Sequence, residues 1–556
     1  MSRTRPLKLA LFLIAVALSL ASSPARAKDE LVIGITQYPS TFNPNIDAML
    51  AKSYVLAMVR RPLLTYDHDW KLVCMLCTEV PTVENGRLKP VDLPDGGKGV
   101  EIRFTIRPDA KWGDGRPVTS GDVVFAWELG KDPRSAIDGG EYYRRVTKID
   151  VQDDRTFTVH ANKLTFNAAA IYSFDPMPAH IERAAFAEPE NYKKRTLYDT
   201  DTANPGLYNG PYRITQTAPG SHIVLEPNPH WSGAKPYFRK ITVRTIENTA
   251  ALEANLLSGG IDYVAGELGL TLDQALAFEK RHGARFNVSY KAGLIYEHID
   301  LNLDSPVLKD KRVRHALIYA LDRDAISKQL FEGKQPVADS FVSPLDWIAA
   351  DDLPKYRADP KRAAALLDEA GWNVMRDGFR HNAAGQRLTI ELMTTAGNRS
   401  RETVQQVLQS QWRKLGIDVR IRNEPARVFF GQTMRQRQFT GMAMYAWISA
   451  PEALPRLTLR SDEIPRPENS FSGQNYPGFR NAEADRLIDA IEVELDRAKR
   501  KALWLRLQEI YVEELPVLPL YFRADSYIVP KWLTGIEPTG HLVPTTMWVE
   551  TWRPRS

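Results

Sequence analysis

Short strand patterns and longer helix patterns alternate along most of this 556-residue chain. Residues 101–106 place apolar side chains at alternating positions, which is the period of a strand with one buried face. Three further runs have the same period: 156–160, 222–226 and 241–245. An apolar stripe over 404–415 ends at Gly416, and the alternating run 417–421 follows it. This order of elements predicts an α/β fold.

Several helix ends are marked by capping residues. Thr271 and Gln274 have the spacing of a capping box, in which each side chain bonds a free backbone N–H of the first turn. A long helical stretch begins at Asn481 and is expected to end at Pro516, because proline cannot continue a helix. The apolar run 517–522 after it indicates a strand.

Residues 1–27 have the pattern of a secretory signal peptide. A basic start precedes an apolar run over 9–20, and Ala25 and Ala27 then supply the small-x-small cleavage pattern. The apolar run is shorter than the ~20 residues that a membrane-spanning helix needs. No Cys lies near the cleavage point, so we expect an exported, soluble protein that is not a lipoprotein.

Charge and composition exclude several classes of protein. With 43% apolar residues and only 2 Cys, the chain is neither disordered nor a disulfide scaffold. Its formal net charge is +5, and cleavage of the predicted signal would remove four basic residues and no acid, leaving +1. A near-neutral chain lacks the concentrated basic face that nucleic acids require. A length of 556 residues allows three or four domains.

Cys74 and Cys77 form a C-x-x-C pair, which leaves three interpretations open. An exported protein meets an oxidising environment, where a local disulfide is the favoured outcome. A pair of free thiols is a second possibility, and a redox or metal function is a third. No second Cys pair is present to complete a four-thiolate metal site.

No familiar catalytic or nucleotide-binding motif occurs in the sequence. The zinc-protease, phosphate-loop, dinucleotide and nucleophile-elbow patterns are all missing. Residues 296–300 bring Glu297, His298 and Asp300 close together, but on a strand Glu297 faces away from the other two. We therefore interpret this segment as a strand with a polar face, and we expect no enzyme activity, cofactor or metal.

Aromatic residues are concentrated near a predicted strand end in the segment 439–455. Tyr445 and Trp447 stand two apart, so they share one strand face just before a Pro-containing loop. Core packing accounts for most such residues. Aromatic side chains beside a loop also line small-ligand clefts, and position alone does not separate the two interpretations.

Five sequence blocks, in their order and spacing, resemble a known family. The blocks are 106–123 (IRPDAKWGDGRPVTSGDV), 209–212 (NGPY), 312–317 (RVRHAL), 359–372 (DPKRAAALLDEAGW) and 516–521 (PVLPLY). Over nearly the whole chain after residue 27, the sequence resembles the extracytoplasmic solute-binding proteins of ABC importers. This is the family 5 group, which includes oligopeptide-, dipeptide- and nickel-binding proteins.

The resemblance implies an α/β fold of the two-lobed periplasmic-binding-protein type (type II), with a ligand cleft between the lobes at a hinge. Lobe I would comprise 28–70, 196–295 and 520–556. An inserted α+β domain would take 71–195, and lobe II would take 296–519. Solute would stabilise closure of the lobes, because it contacts both of them only in the closed state.

The same resemblance implies which residues line the ligand pocket. The positions that correspond are Tyr38, Phe42, Tyr296, Trp447, Asn469, Gln474, Asn475, Tyr521 and Arg523. From the residues themselves we add Glu297, Tyr445 and Glu452 as candidate binding residues. Tyr296 and Trp447 would flank the ligand. Glu452 or Glu297 would meet a cationic group, and Arg523 would meet an anionic one.

One departure from the family pattern affects the expected ligand. Peptide binders of this group carry an Asp three residues after the pocket Trp, where it pairs with the peptide amino group. Here that position is Ala450, and the nearest acid is Glu452. The charge-assisted contact is missing or moved, so solutes other than peptides become more plausible.

The sequence therefore predicts a periplasmic, monomeric binding component of an ABC transporter. It would capture a peptide or a similar polar solute and deliver it to permease subunits in the inner membrane. A secreted peptide-processing hydrolase or a chaperone that uses the same cleft is the alternative.

Overall fold

The computed structural model describes residues 28–46, 49–135, 137, 140–469 and 471–555. The predicted signal peptide, 1–27, lies outside the described residues. Within the described ranges, no helix combines the length and the apolar character needed to cross a membrane.

Strands are numbered in chain order. They are β1 Glu30–Ile35, β2 Leu64–Tyr66, β3 Leu72–Cys74, β4 Leu88–Asp92, β5 Lys98–Thr105, β6 Val146–Val151, β7 Thr156–Ala161, β8 Tyr212–Ala218, β9 His222–Pro227, β10 Lys240–Thr245, β11 Tyr263–Val264, β12 Phe286–Leu301, β13 Val374–Arg376, β14 Phe379–His381, β15 Thr389–Met393, β16 Asp418–Ile421, β17 Met442–Ile448, β18 Val517–Pro530, β19 Leu533–Thr534 and β20 Arg553–Pro554.

Helices are referred to by their ranges. The α-helices are Leu50–Val59, Ser120–Lys131, Gly140–Arg145, Ala168–Ile171, Ala179–Glu182, Tyr192–Arg195, Leu197–Thr200, Thr249–Ser258, Leu272–His282, Lys311–Tyr319, Arg323–Phe331, Pro360–Glu369, Arg399–Lys414, Ala426–Val428, Arg456–Leu459, Ala482–Val493 and Arg497–Glu514. A π-helical turn, Phe429–Met434, continues from Ala426–Val428.

Ten strands form one continuous sheet, in the order β16-β15-β17-β12-β18-β11-β1-β10-β9-β8. β12 and β18 are its two central strands, and at 16 and 14 residues they are much longer than their neighbours. We call β1 and β8–β11 the first half of the sheet and β15–β17 the second half. One end of the β12–β18 pair belongs to each half, so the two strands link the halves.

The pairing of β12 with β18 is irregular where the two halves meet. The register is regular from Phe286 to Ala292, resumes at Tyr296 opposite Phe522, and shifts again between Glu297 and His298. Such bulges bend and twist a strand pair, and they leave backbone groups outside the ladder. The two halves are therefore connected through an irregular, two-stranded junction.

Each half of the sheet has its own apolar core. The first core gathers β1, β8, β9 and β10 with the helix Leu50–Val59. The second packs β15, β16 and β17 against Lys311–Tyr319, Arg399–Lys414 and the two last long helices. The α/β fold class predicted from the sequence is confirmed, and the four alternating runs chosen as strands lie in β5, β7, β9 and β10.

The helical stretch predicted from Asn481 to Pro516 is divided in two, so the expectation of one helix was wrong. Ala482–Val493 ends at Glu494, whose backbone is extended. Asp496 then accepts a hydrogen bond from the backbone N–H of Lys499 and starts Arg497–Glu514. An Asp that caps a new helix competes with continuation of the previous one.

A separate four-stranded antiparallel sheet, in the order β4-β5-β7-β6, lies between residues 88 and 161. It falls inside the range 71–195 that the family resemblance implied for an inserted domain. Its apolar residues share the core of the first half. The domain limits themselves stay a prediction.

Cys74 and Cys77 are joined in a disulfide with their Cα atoms 5.2 Å apart. This is the arrangement that an oxidising environment favours, and it leaves no free thiol in the described part of the chain. The disulfide begins at the last residue of β3. Neither Cys lines the large cavity described below.

The junction between the halves is closely packed at Gly293. A Cβ added there would lie 2.7 Å from the carbonyl oxygen of Gly540. Backbone atoms cannot move aside as a side chain can, so the position accepts only glycine without a shift of the main chain.

We expect Gly293→Ala to destabilise the protein by roughly 1–3 kcal/mol through this overpacking. The matched control is Gly431→Ala, where an added Cβ would meet no atom within 4 Å. Thermal unfolding of both variants measures the effect. Equal midpoints for Gly293→Ala and the control would contradict the tight contact.

Candidate functional site

A cavity of about 1210 Å³ opens between the two halves of the sheet, beside the β12–β18 junction. Its walls come from loops that follow the carboxyl ends of strands in both halves. The lining residues are Thr36 and Gln37 after β1, 266–274 after β11, 395–400 and Thr403 after β15, together with Leu50, Ile295, Leu330, Phe331, Gln335, Ala426 and 523–526. Ligands of open α/β sheets bind at this end of the strands.

Glu297 on β12 holds two arginines beside the cavity. Its Oε1 accepts a hydrogen bond from Nε of Arg401 at 2.6 Å. Its Oε2 accepts from Nε of Arg523 at 2.8 Å and lies 2.6 Å from Nη2 of that residue. The Glu297 side chain is 0% exposed, so the arginines neutralise a carboxylate that water cannot reach. Of the three, only Arg523 lines the cavity.

Two carboxylates on the first-half wall are not neutralised in this way. Oε1 of Glu267 accepts hydrogen bonds from the backbone N–H and the hydroxyl of Thr545, at 2.8 and 3.0 Å. Its Oε2 is buried and has no hydrogen-bond partner among the described residues. Asp525 also lines the cavity, two residues along β18 from Arg523, and the positive charge of Arg523 partly offsets the cost of its burial.

Burial raises the pKa values of both carboxyls. Removal from water raises the pKa of Glu267 to about 7. The hydrogen bonds from Thr545 lower this pKa, and the negative charge of the nearby Asp525 raises it further. Removal from water also raises the pKa of Asp525 to about 6, while Arg523 lowers it. A carboxyl group whose pKa is raised by burial gains when a cation binds beside it, so both groups are candidates for binding a cation.

The predicted aromatic residues lie deeper than the cavity wall. Tyr296 is buried against Phe522, and its hydroxyl is 3.0 Å from that of Tyr511. Tyr521 is buried with its ring centroid 5.0 Å from that of the cavity residue Phe331. Tyr445 is buried and donates its hydroxyl to Asp300.

Trp447 is partly exposed, with its ring stacked on Tyr476 at a centroid distance of 6.0 Å. The next residue, Ile448, is 65% exposed and pairs with the cavity residue Ile295. This end of β17 therefore borders the cavity, although Trp447 does not line it.

The remaining predicted binding residues have partners of their own. Glu452 forms an ion pair with Arg500 and accepts from the indole N–H of Trp347 at 3.1 Å. The side chains of Asn469 and Asn475 bond backbone groups of their own loop, and the backbone N–H of Gln474 bonds Leu457.

Tyr38 and Phe42 pack edge to face, with their centroids 6.2 Å apart, near the start of the first half. Of the twelve predicted binding residues, Arg523 is the one that lines the large cavity. The binding roles of the others stay predictions.

The sequence reasoning missed the two loops that contribute most of the wall, 266–274 and 395–400. Both follow short strands of the sheet at their carboxyl ends. The capping box at Thr271 and Gln274 identified the helix after the first loop, and the structure has that box. Each loop follows the carboxyl end of a strand, where ligands of such sheets bind, so each could have been proposed as a binding loop. That the two loops face one cavity follows only from the sheet order, which the sequence does not give.

Glu267 provides a pH-dependent test of the site's electrostatics. Because its folded-state pKa is raised from 4.5 to about 7, the folded protein keeps a proton that the unfolded chain has released. Stability therefore falls as pH rises between these two values, by on the order of 3 kcal/mol in full.

We expect Glu267→Gln to unfold at a higher temperature than the natural protein at pH 8, with the difference vanishing near pH 4.5. Ligand-free samples and thermal unfolding across this pH range supply the measurement. The exposed Glu226→Gln, on β9 and outside the cavity lining, is the control. A pH-independent difference would contradict a raised pKa.

Comparison with known proteins identifies the family. Residues 97–460 match the bacterial extracellular solute-binding proteins, family 5 Middle. The oligopeptide-binding protein AppA of Bacillus subtilis (strain 168) is 26% identical over 549 residues, which cover 95% of this chain and 94% of AppA.

Solved structures are similar over the same length. The oligopeptide binding protein from Thermus thermophilus, complexed with a pentapeptide, aligns with a TM-score of 0.67 and 33% identity, covering 95% of this chain and 96% of that one. NikZ from Campylobacter jejuni, in complex with Ni(L-His), aligns with a TM-score of 0.69 and 21% identity, covering 95% and 99%. At that identity the likeness to NikZ concerns the fold. The chain belongs to the family 5 bacterial extracellular solute-binding proteins.

Proposed function

We propose that this protein captures a peptide, or a polar solute of similar size, in the cavity between the two halves of the sheet. The observation that carries the proposal is the cavity itself. At about 1210 Å³ it exceeds the ~300–1,000 Å³ usual for small-molecule sites, and charged residues of both signs line it. Relatives named as oligopeptide-binding proteins support a peptide as the solute.

Binding would act through the junction of β12 and β18. A solute that touches both walls gains its full set of contacts only when the halves approach each other, so it stabilises that closed state by its differential affinity. The irregular pairing near residues 292–298 is where such a hinge movement would be absorbed. The closed form would then be read by the permease subunits of an ABC transporter.

The proposal includes export and the absence of catalysis. The protein would act as a monomer in the periplasm after removal of residues 1–27, without a lipid anchor. It would release peptides unchanged. A hydrolase that uses the same cleft is the alternative, and it predicts cleavage products.

A panel of free-ended peptides, from dipeptides to nonapeptides, tests the function. We expect some of them to raise the unfolding temperature, since a ligand at a hundred times its Kd stabilises a protein by about 2.7 kcal/mol. Sugars, metal salts and amino-acid derivatives form the comparison set. Stabilisation only by members of that set would sink the peptide proposal. Mass spectrometry of the recovered peptides separates binding from hydrolysis.

Trp447 tests the part of the site that borders β17. If it flanks the solute, Trp447→Ala should weaken binding tens-fold or more, on the order of 2 kcal/mol, as measured by calorimetry with a peptide from the panel. Trp127→Ala is the control, because Trp127 is also half-buried but lies on Ser120–Lys131, away from the cavity. Unchanged affinity would remove Trp447 from the site.

A further inference from the structure

Two bodies of the molecule touch outside the β12–β18 junction. We call the first half of the sheet and the four-stranded sheet the first body, because they share one core, and we call the second half with its helices the second body. Residues 163–166, after β7, contact residues 492–500, where the two last long helices meet. We call this contact the side contact. None of its residues lines the large cavity.

The backbone of the segment 163–166 is fixed to the first body. Leu164 is buried in the first core, and its backbone N–H donates to the carbonyl oxygen of Lys98 on β5. The aromatic ring of Phe166, two residues further on, packs instead against the second core. The first body therefore contributes an apolar side chain to the core of the second.

The second body makes the reverse contribution at the break between its two last long helices. Leu495 lies in that break, between Ala482–Val493 and Arg497–Glu514, and it packs against the first core. The break that divides the predicted single helix thus supplies a side chain to the other body. Phe166 and Leu495 are exchanged between the two cores.

Polar contacts surround the exchanged side chains. The backbone N–H of Phe166 donates to the carbonyl oxygen of Glu492 at 2.8 Å. Oε1 of Glu492 lies 2.7 Å from Nζ of Lys163 in the first body, and its Oε2 lies 3.2 Å from Nη1 of Arg456 in the second. The carboxylate of Glu492 is 14% exposed, so salt screens these pairs less than it screens fully exposed ones.

Arg500 joins the ring of Phe166 to the break that carries Leu495. Its guanidinium carbon lies 4.8 Å from the centroid of the Phe166 ring, which is the range of a cation–π contact. Its Nη1 donates to the carbonyl oxygens of Glu494 and Leu495, at 2.8 and 3.2 Å. Glu452 neutralises the buried guanidinium.

We propose that the side contact is a latch that stabilises the spacing of the two bodies seen in this structure and breaks when the halves move relative to each other. Phe166 and Leu495 each belong to one body by their backbone and to the other by their packing. Dispersion contacts are lost over about 1 Å, so a rotation of one body against the other withdraws both side chains.

This inference goes beyond the proposed function, because it concerns the spacing of the halves and not the solute that they take. Residues that never touch the solute would then help to set how often the halves adopt each spacing. Since a solute binds only the fraction of molecules with the competent spacing, such residues also affect its apparent affinity.

The experiment measures the distance between the two bodies in the absence of any solute. Nitroxide labels are attached at Glu226→Cys on β9 and at Ala384→Cys between β14 and β15, both exposed positions. The only two natural cysteines are joined to each other, so the labels react with the introduced thiols alone. Pulsed electron paramagnetic resonance then gives the distribution of label distances.

We expect Phe166→Ala and Leu495→Ala each to broaden this distribution, with distances that the natural protein does not populate. The double variant should differ little from either single one, because each already breaks the same contact. The matched controls are Phe186→Ala and Leu487→Ala. Both residues are also half-buried, but each packs against the core of its own body.

A charge reversal tests the latch without removing any apolar side chain. Lys163→Glu places a second carboxylate beside Glu492, so we expect it to broaden the distribution as well. Lys89→Glu, at an exposed position of β4, is its control. This variant decides the matter if Phe166→Ala does not fold.

The outcomes concern the latch alone. Distributions of Lys163→Glu, Phe166→Ala and Leu495→Ala that match the natural protein would overturn it, and so would equal broadening in the controls. Because no solute is present, either result leaves peptide capture standing. Failure of every peptide to bind would overturn the proposed function and leave the measured distances unchanged.

Discussion

The pairing of two long strands, Phe286–Leu301 and Val517–Pro530, is the interaction on which the rest of the structure depends. Each strand has one end in either half of the ten-stranded sheet, and among the described strands no other pair links the halves directly. A fully regular ladder would make this link stiff. The register shifts near residues 292–298 interrupt the ladder where the cavity lies, so the pairing that holds the halves together is least regular beside the cavity.

Glu297 joins this junction to the electrostatics of the site. It lies on the central strand at the second register shift, and its carboxylate holds Arg401 from a second-half helix and Arg523 from the other central strand. Burying one acid between two bases leaves a positive surplus beside the cavity. The same strand, two residues further along from Arg523, places the acid Asp525 at the cavity. Charges of opposite sign beside the cavity thus come from neighbouring positions of one strand.

Much of the fold could be predicted because its signals are local. The strands β5, β7, β9 and β10 could be recognised from apolar residues at every second position. The capping box at Thr271 could be recognised from four consecutive residues. The division of the stretch 482–514 at Asp496 was missed, since Asp can cap a helix or sit on its surface, and neighbouring residues alone do not distinguish the two. The family resemblance supplied the two-lobed arrangement, and the match over 97–460 supports it.

The sequence by itself determined the fold class, the family and the residue types available to a binding site, because periodicity and motif order are properties of short segments. Only the tertiary structure decided which acids near the cavity are held in ion pairs. Glu297 was a natural candidate on its own strand, but its partners stand 104 and 226 residues away in the chain. Glu452 is likewise neutralised from 48 residues away, by Arg500. Whether a charge is free depends on contacts between distant segments, and those contacts exist only once the chain has folded.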